Sequence, residues 1–231
     1  MDTYLPDSSG INSLAGFSFQ IRVFTYYMIM LGENTQIEFE TIDDVNIKKI
    51  KAEEIDNNDE NFICKLKKEN TNTAIQVKRT NITESISQKV LLNWILLEVS
   101  ENNVSKYVLF TDKQYSNDDI IFKKSAAELY QCIEKSDKNN KAIITKVKKK
   151  FKTDFAGFEK IYDAIKGKYE FISDNIDEKM DDACCVLFRK SGVNEVVYYN
   201  RIKELLQHVT VEVMESVNGK KPFVLKLVVV N

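Results

Sequence analysis

The sequence predicts an α/β fold, with a mixed sheet flanked by helices in its first half and a mainly helical second half. Three observations carry this expectation. Up to about residue 112 the apolar residues switch between helical and strand periodicity in the order helix, strands, helix, strand. Only 7 Gly and 2 Pro occur in 231 residues, which favours long elements over a many-turned sandwich. Beyond Asp112 the periodicity is almost wholly helical until a β-branched run near the end.

Taken in order, residues 1–12 read as an extended lead-in rich in Asp, Ser and Gly. Phe17, Ile21, Phe24 and Met28 then recur at helical spacing over about 14–31, and the helix is apolar almost all round, hence buried. Strand-like runs follow at 36–40 and 44–48, then an acidic, Asn-rich insertion through 57–60. Alternation resumes at 62–67 and 73–79. Residues 80–83 supply capping side chains for a helix over 84–101 with Ile86, Val90, Trp94 and Leu97 on its apolar stripe, and 107–110 read as a buried strand. Helices are expected over 117–134, 138–150, 154–166, 174–189 and 195–217. The change of character at 114–117 predicts one domain over 1–114 and a helical one over 115–231. The run 223–230 must pair with something, or the chain belongs to a longer one.

Composition excludes several classes of function. Lys and Arg total 33 against 35 Asp and Glu, a formal charge of −2, so contact with nucleic acid must be local rather than driven by the overall field. His208 is the only imidazole, which removes His-rich zinc sites, HNH-type nucleases and ordinary Ser/His/Asp or Cys/His triads. Neither Gly167-Lys168 nor Gly219-Lys220 has the upstream glycine of a phosphate loop. Four cysteines without a CxxC pair, no signal-peptide pattern and no apolar run of about 18 residues point to a cytoplasmic protein with reduced thiols and no membrane contact.

Strands send alternate side chains to opposite faces. In 44–47 this puts Asp44 and Asn46 opposite Val45 and Ile47; in 74–78 it puts Gln76 and Lys78 opposite Ile75 and Val77. If the two strands are neighbours, a carboxylate, an amide oxygen and an ammonium group converge at a sheet edge backed by an apolar layer. Such a group suits a hard cation and a phosphate. Asp44 would be the principal ligand of Mg²⁺ or Mn²⁺, with the Gln76 side-chain oxygen and the Val77 backbone carbonyl as neutral ligands. Lys78 would orient the attacking water and offset the developing negative charge. The competing reading of Gln76 and Lys78 is a solvated strand face with a snorkelling lysine.

These residues resemble the Cap4-type (DUF4297) effector nucleases of bacterial antiphage defence, a branch of the PD-(D/E)XK restriction-endonuclease-like superfamily. The resemblance rests on Gly16-Phe17-Ser18-Phe19-Gln20 in the first helix, Glu40-Thr41-Ile42-Asp43-Asp44-Val45 entering a strand and Gln76-Val77-Lys78-Arg79 in a later one, and spans about 8–112. It implies an αβββαβ core, Asp44 as metal ligand, Gln76 at the usual acidic position, Lys78 as catalytic lysine, Gln20 as the polar residue of the first helix and Glu40 as a reserve acid for a second metal. A neutral Gln76 departs from the textual PD-(D/E)XK pattern. The implied activity is metal-dependent, sequence-nonspecific cleavage of double-stranded DNA, restrained until a homo-oligomer or a sensor such as an SMC-like ATPase partner assembles.

Phosphate contacts are expected from Arg79, Lys123 and Lys124 near the core and from Lys148, Lys149 and Lys150 in an acid-free run over 141–152. The same run can equally be a solvated helix face. The acidic stretch 170–182 is expected to face solvent or a basic partner. Two other readings stand beside DNA cleavage: a non-catalytic nuclease fold kept for binding DNA or protein, and cleavage of RNA.

Overall fold

In a computed structural model of the chain, residues 9–32, 35–39, 45–49, 71–100, 102–115, 120–137, 142–189, 192–218 and 223–227 are described. Along them run α1 (Ser9–Ile29), β1 (Thr35–Phe39), β2 (Val45–Lys49), β3 (Asn72–Lys78), α2 (Glu84–Glu98), β4 (Val104–Asp112), α3 (Ala126–Glu134) and α4 (Ile143–Phe151). The order continues with α5 (Phe155–Lys168), β5 (Tyr169–Asp174), α6 (Ile176–Phe188), α7 (Glu195–Asn218) and β6 (Phe223–Leu227). The fold is mixed α/β. None of the described helices is long and apolar enough to cross a membrane.

The strands form one sheet in the order β5-β4-β3-β2-β1-β6. β1 pairs antiparallel with β2 and β6, and β2 antiparallel with β3, whereas β3, β4 and β5 run parallel. The carboxyl ends of β1, β3, β4 and β5 therefore share one edge of the sheet with the amino ends of β2 and β6. Open sheets of this kind place ligands outside the carboxyl ends of their parallel strands.

Alternation along the strands divides the core in two. Ile37, Phe39, Ile75, Val77, Val108 and Phe110 face one layer, packed with Phe19, Val23 and Phe24 of α1, Met180 of α6, and Tyr198, Val209 and Val213 of α7. Ala74, Tyr107 and Leu109 face the other, packed with Val90, Leu91, Trp94 and Ile95 of α2 and with apolar residues of α3, α4 and α5. β3 and β4 are covered on both faces, as a parallel pair requires, and Ala74, Ile75, Val77, Leu109 and Phe110 are almost completely buried.

Local chemistry sets the helix ends. Thr83 accepts a hydrogen bond from the Ile86 backbone N–H at 3.3 Å to start α2. Ser125 and Glu128 form a reciprocal capping box for α3. Asp154 accepts from the Gly157 N–H at 2.9 Å to start α5, and a Cβ on Gly157 would lie 2.1 Å from the Asp154 Oδ2, so a larger residue would push the capping carboxylate aside.

Several expectations need revision. The second half is not helical throughout: β5 and β6 form the two edges of the sheet, so the sheet extends across the expected boundary near 114. The acidic stretch 170–182 does not simply face solvent. Tyr169–Asp174 is a strand beside β4, its Tyr169 and Phe171 turned to the α2 layer and its Ile172 to the α1 layer. Helix α3 begins at Ala126 rather than 117, because the capping box sets its start. Ile86, placed on the apolar stripe of α2, is 40% exposed, while Val90 and Trp94 are buried as expected. The terminal β-branched run finds its partner in β1, with Leu225 opposite Ile37. Asp44, Glu40, the insertion at 57–60 and the expected strand at 62–67 lie outside the described residues.

Candidate active site

Strand β3 lies between β2 and β4 in the sheet. Gln76 stands opposite Leu109 and Lys78 opposite Thr111 of β4, while Ile75 stands opposite Val45 of β2. Gln76 is buried, Lys78 is half-buried, and Arg79 and Thr80 are exposed as the chain leaves the sheet. Burial thus rises along the strand toward its centre and falls at its carboxyl end, where the side chains can meet a ligand.

Helix α1 lies over that end. Phe19 and Phe24 pack in the same apolar cluster as Ile75 and Val77, which fixes the helix against the strand. One turn of α1 then brings Gly16, Phe17 and Gln20 over Val77, Lys78, Arg79 and Thr80, and together these line an open cleft of about 530 Å³. A Cβ built on Gly16 meets no atom within 4 Å, so the glycine leaves space free above the strand end. Gln20, Lys78 and Arg79 therefore share one cleft. Gln76 is not among its lining residues: it follows Ala74 to the α2 face, whereas Lys78, of the same parity, reaches the cleft from the end of the strand.

The expected basic residues fall into two separate groups. Lys123 and Lys124 both turn to Glu84 in the first turn of α2, Lys123 at 3.5 Å and Lys124 in a closer ion pair. The hydrogen bond and charge of Lys124, with a further pull from Lys123, hold the Glu84 carboxyl below its ordinary value of 4.5. Tyr162 donates to the Lys124 carbonyl at 2.6 Å and anchors this turn on α5. Glu84 begins α2, which packs on the face of the sheet opposite α1, and none of Glu84, Lys123 and Lys124 lines the cleft.

Lys148 has a different occupation. Its ammonium donates to the carbonyls of Glu134 and Ser136 and closes the carboxyl end of α3. Lys149 and Lys150 are exposed beside it. Since α3 has nine residues, its two ends are roughly 13 Å apart at ~1.5 Å per residue, which separates Lys148 from Lys124 at the opposite end. The six expected lysine and arginine contacts thus do not form one continuous strip.

Sequence reasoning missed further cations at the strand-end edge. Lys113 follows β4 and pairs with Glu178 at 3.2 Å, Arg22 pairs with Asp177 at 2.6 Å, and Lys179 pairs with Asp174 at 2.8 Å. The signal for Lys113 was positional, because a residue just after a parallel strand lies at the ligand-bearing edge. Each is matched by an acid of β5 or α6, which offsets its charge. Among the described residues no group of three His, Cys, Asp or Glu could hold a metal. The oxygens offered near the cleft are neutral ones, so the carboxylate of a metal site would have to come from outside these residues. Comparison with known protein families, curated proteins and solved structures finds no match.

Proposed function

We propose that the chain is a metal-dependent endonuclease of the restriction-endonuclease-like class that cleaves double-stranded DNA as an antiphage effector. The observation that carries this reading is the meeting of Gln20 from α1 with Lys78 at the carboxyl end of β3 around one cleft. The element order supports it, since α1, three antiparallel strands, α2 and a strand parallel to β3 follow one another as an αβββαβ core does. So does register: Asp44 directly precedes Val45, and Val45 stands opposite Ile75, the neighbour of Gln76.

In this reading Asp44 and the Val77 carbonyl would hold Mg²⁺ or Mn²⁺ at the cleft, with Glu40 as a further acid, while the Gln76 amide, turned to the α2 face, would stand outside this ligand set. The ion would polarise the phosphate and acidify its bound water. Lys78 orients the water whose oxygen attacks phosphorus and stabilises the charge gathered on the phosphoryl oxygens as the bond to the leaving oxygen breaks. Gln20 positions the water or the phosphate from the opposite wall of the cleft. Arg79, Lys123 and Lys124 hold the flanking backbone, with Lys149 and Lys150 as a separate contact, so that recognition is of backbone rather than sequence. The helical elements serve restraint and partner binding, whether by oligomerisation or by an ATPase.

Plasmid nicking with Mg²⁺ or Mn²⁺ that EDTA abolishes, and that Lys78→Ala and Asp44→Ala both remove, is the expected outcome. A second reading is favoured by one residue: Gln76 puts a neutral amide where such nucleases carry an acid, and a site weakened in this way suits a nuclease fold kept for binding alone. Tight DNA binding without metal-dependent cleavage of DNA or RNA would select it.

A further inference from the structure

Helix α7 has two different faces. Tyr198, Val209 and Val213 are buried against the α1 layer, whereas Val196, Tyr199, Val211 and Met214 are 70%, 48%, 44% and 54% exposed. With Lys203 and Gln207 between them, the exposed residues recur at intervals of three and four and so form one stripe along the helix. That stripe is symmetric about Leu205. Val196 and Met214 are equally distant from it in sequence, as are Tyr199 and Val211, and Lys203 and Gln207.

A sequence symmetric about its midpoint is self-complementary when two copies run antiparallel. Val196 then meets Met214 of the second copy, Tyr199 meets its Val211, and Lys203 meets its Gln207, each contact being repeated by the twofold axis. A parallel arrangement would instead stack Lys203 on its own equivalent.

The surroundings of the stripe fit the same occupant. Beside Tyr199 and Lys203 lies a cleft of about 480 Å³ between α6 and α7, with Met180, Ile202 and Leu206 in its wall and Asp177, Glu178, Asp181 and Asp182 from α6 along it. Facing it, the antiparallel copy presents the carboxyl-terminal half of α7, where Thr210, Val211 and Met214 occupy the stripe. Glu212, 4.0 Å from His208, and Glu215 lie elsewhere around that helix, so acids do not oppose acids. The 24 residues of α7 span about 36 Å, and a stripe about 10 Å wide buries roughly 350 Å² per copy. Val186 and Leu187, 84% and 47% exposed at the end of α6, extend the patch, since Arg189 pairs with Glu195 at 3.4 Å where α7 begins. The total approaches about 1,000 Å², the lower end for a specific and weak interface.

We infer that the chain forms a twofold dimer through antiparallel packing of α7 on α7 of a second copy, independently of whatever chemistry the cleft near Lys78 performs. Sedimentation equilibrium of the full chain from about 1 to about 200 μM brackets the affinity of such an interface. The mass should rise from 26.7 kDa toward twice that value, and Tyr199→Glu and Met214→Glu should each hold it at the monomer with unchanged circular dichroism. A wild type that stays monomeric, leaving the stripe to a different partner, or a dimer unaffected by both substitutions, overturns the inference. If either variant fails to fold, a photo-crosslinking residue at position 199 of the otherwise unaltered chain decides. Attachment to 208–214 of a second copy supports the dimer, and intermolecular attachment elsewhere, or none, overturns it.

Discussion

Gln20, in the first helix, and Lys78, the last residue of the third strand, line one cleft. Their supporting elements are locked by Phe19, Phe24, Ile75 and Val77, all buried in one apolar cluster. Each side chain thus reaches the cleft from a packed element, which is what a preorganised site needs. Gln20→Ala should lower metal-dependent cleavage by roughly 10–100-fold, the usual effect of removing a supporting polar group. Thermal midpoints of variant and wild type should differ little, because Gln20 is only half-buried.

Gly16 separates access from stability. Its missing Cβ faces open space, so Gly16→Ala should raise stability by about 0.5–1 kcal/mol through helix propensity. Gly16→Trp should fill the cleft and suppress cleavage while the protein stays folded. Thermal melting alongside plasmid cleavage reads both effects, and full activity in Gly16→Trp would place the reaction elsewhere.

The pairing of Glu84 with Lys123 and Lys124 makes opposite demands on stability and DNA binding. The Glu84 carboxyl is depressed in the folded chain, so its contribution to stability is present above its ordinary value of 4.5 and is lost as pH falls through the lower folded value. The stability difference between wild type and Glu84→Gln should therefore be present at neutral pH and vanish in strong acid. At neutral pH the same variant releases two lysines and should bind DNA more tightly, with a steeper salt dependence.

The three consecutive lysines of α4 should behave differently. Lys148→Met removes the two contacts that close α3 and should cost about 1 kcal/mol of stability, measured by denaturant unfolding. Lys149→Ala and Lys150→Ala leave those contacts intact. Their effect should be on the salt slope of DNA binding, about one unit or less each, with stability unchanged.

Much of this architecture was legible because periodicity reports burial. β1, β3 and β4 bury the apolar residues that announce them, α1 buries Ile21 and Phe24 and α2 buries Val90 and Trp94, and Lys78 with Gln20 follows from their positions on a strand end and a helix face. β5 was hidden because Glu170, Ser173 and Asp174 give an edge strand the composition of a loop; Lys106, which pairs with Glu170, comes from a different part of the chain. The start of α3 was readable in Ser125-Ala126-Ala127-Glu128 and was outweighed by the apolar residues before it. Partners such as Glu84 for Lys124, or Glu134 for Lys148, were beyond reach, since charge runs do not reveal what they fold against. The second half looked independent because its helices dominate, while the pairings of β5 with β4 and β6 with β1 are non-local.

Whether Lys78 serves a metal-dependent nuclease is decided by the cleavage of supercoiled plasmid by purified wild type and Lys78→Ala. The expected result is nicking and linearisation in Mg²⁺ or Mn²⁺, none in EDTA, and a loss of at least ~100-fold in the variant with its melting temperature retained. Equal cleavage by a folded Lys78→Ala protein, or cleavage indifferent to EDTA, would contradict it.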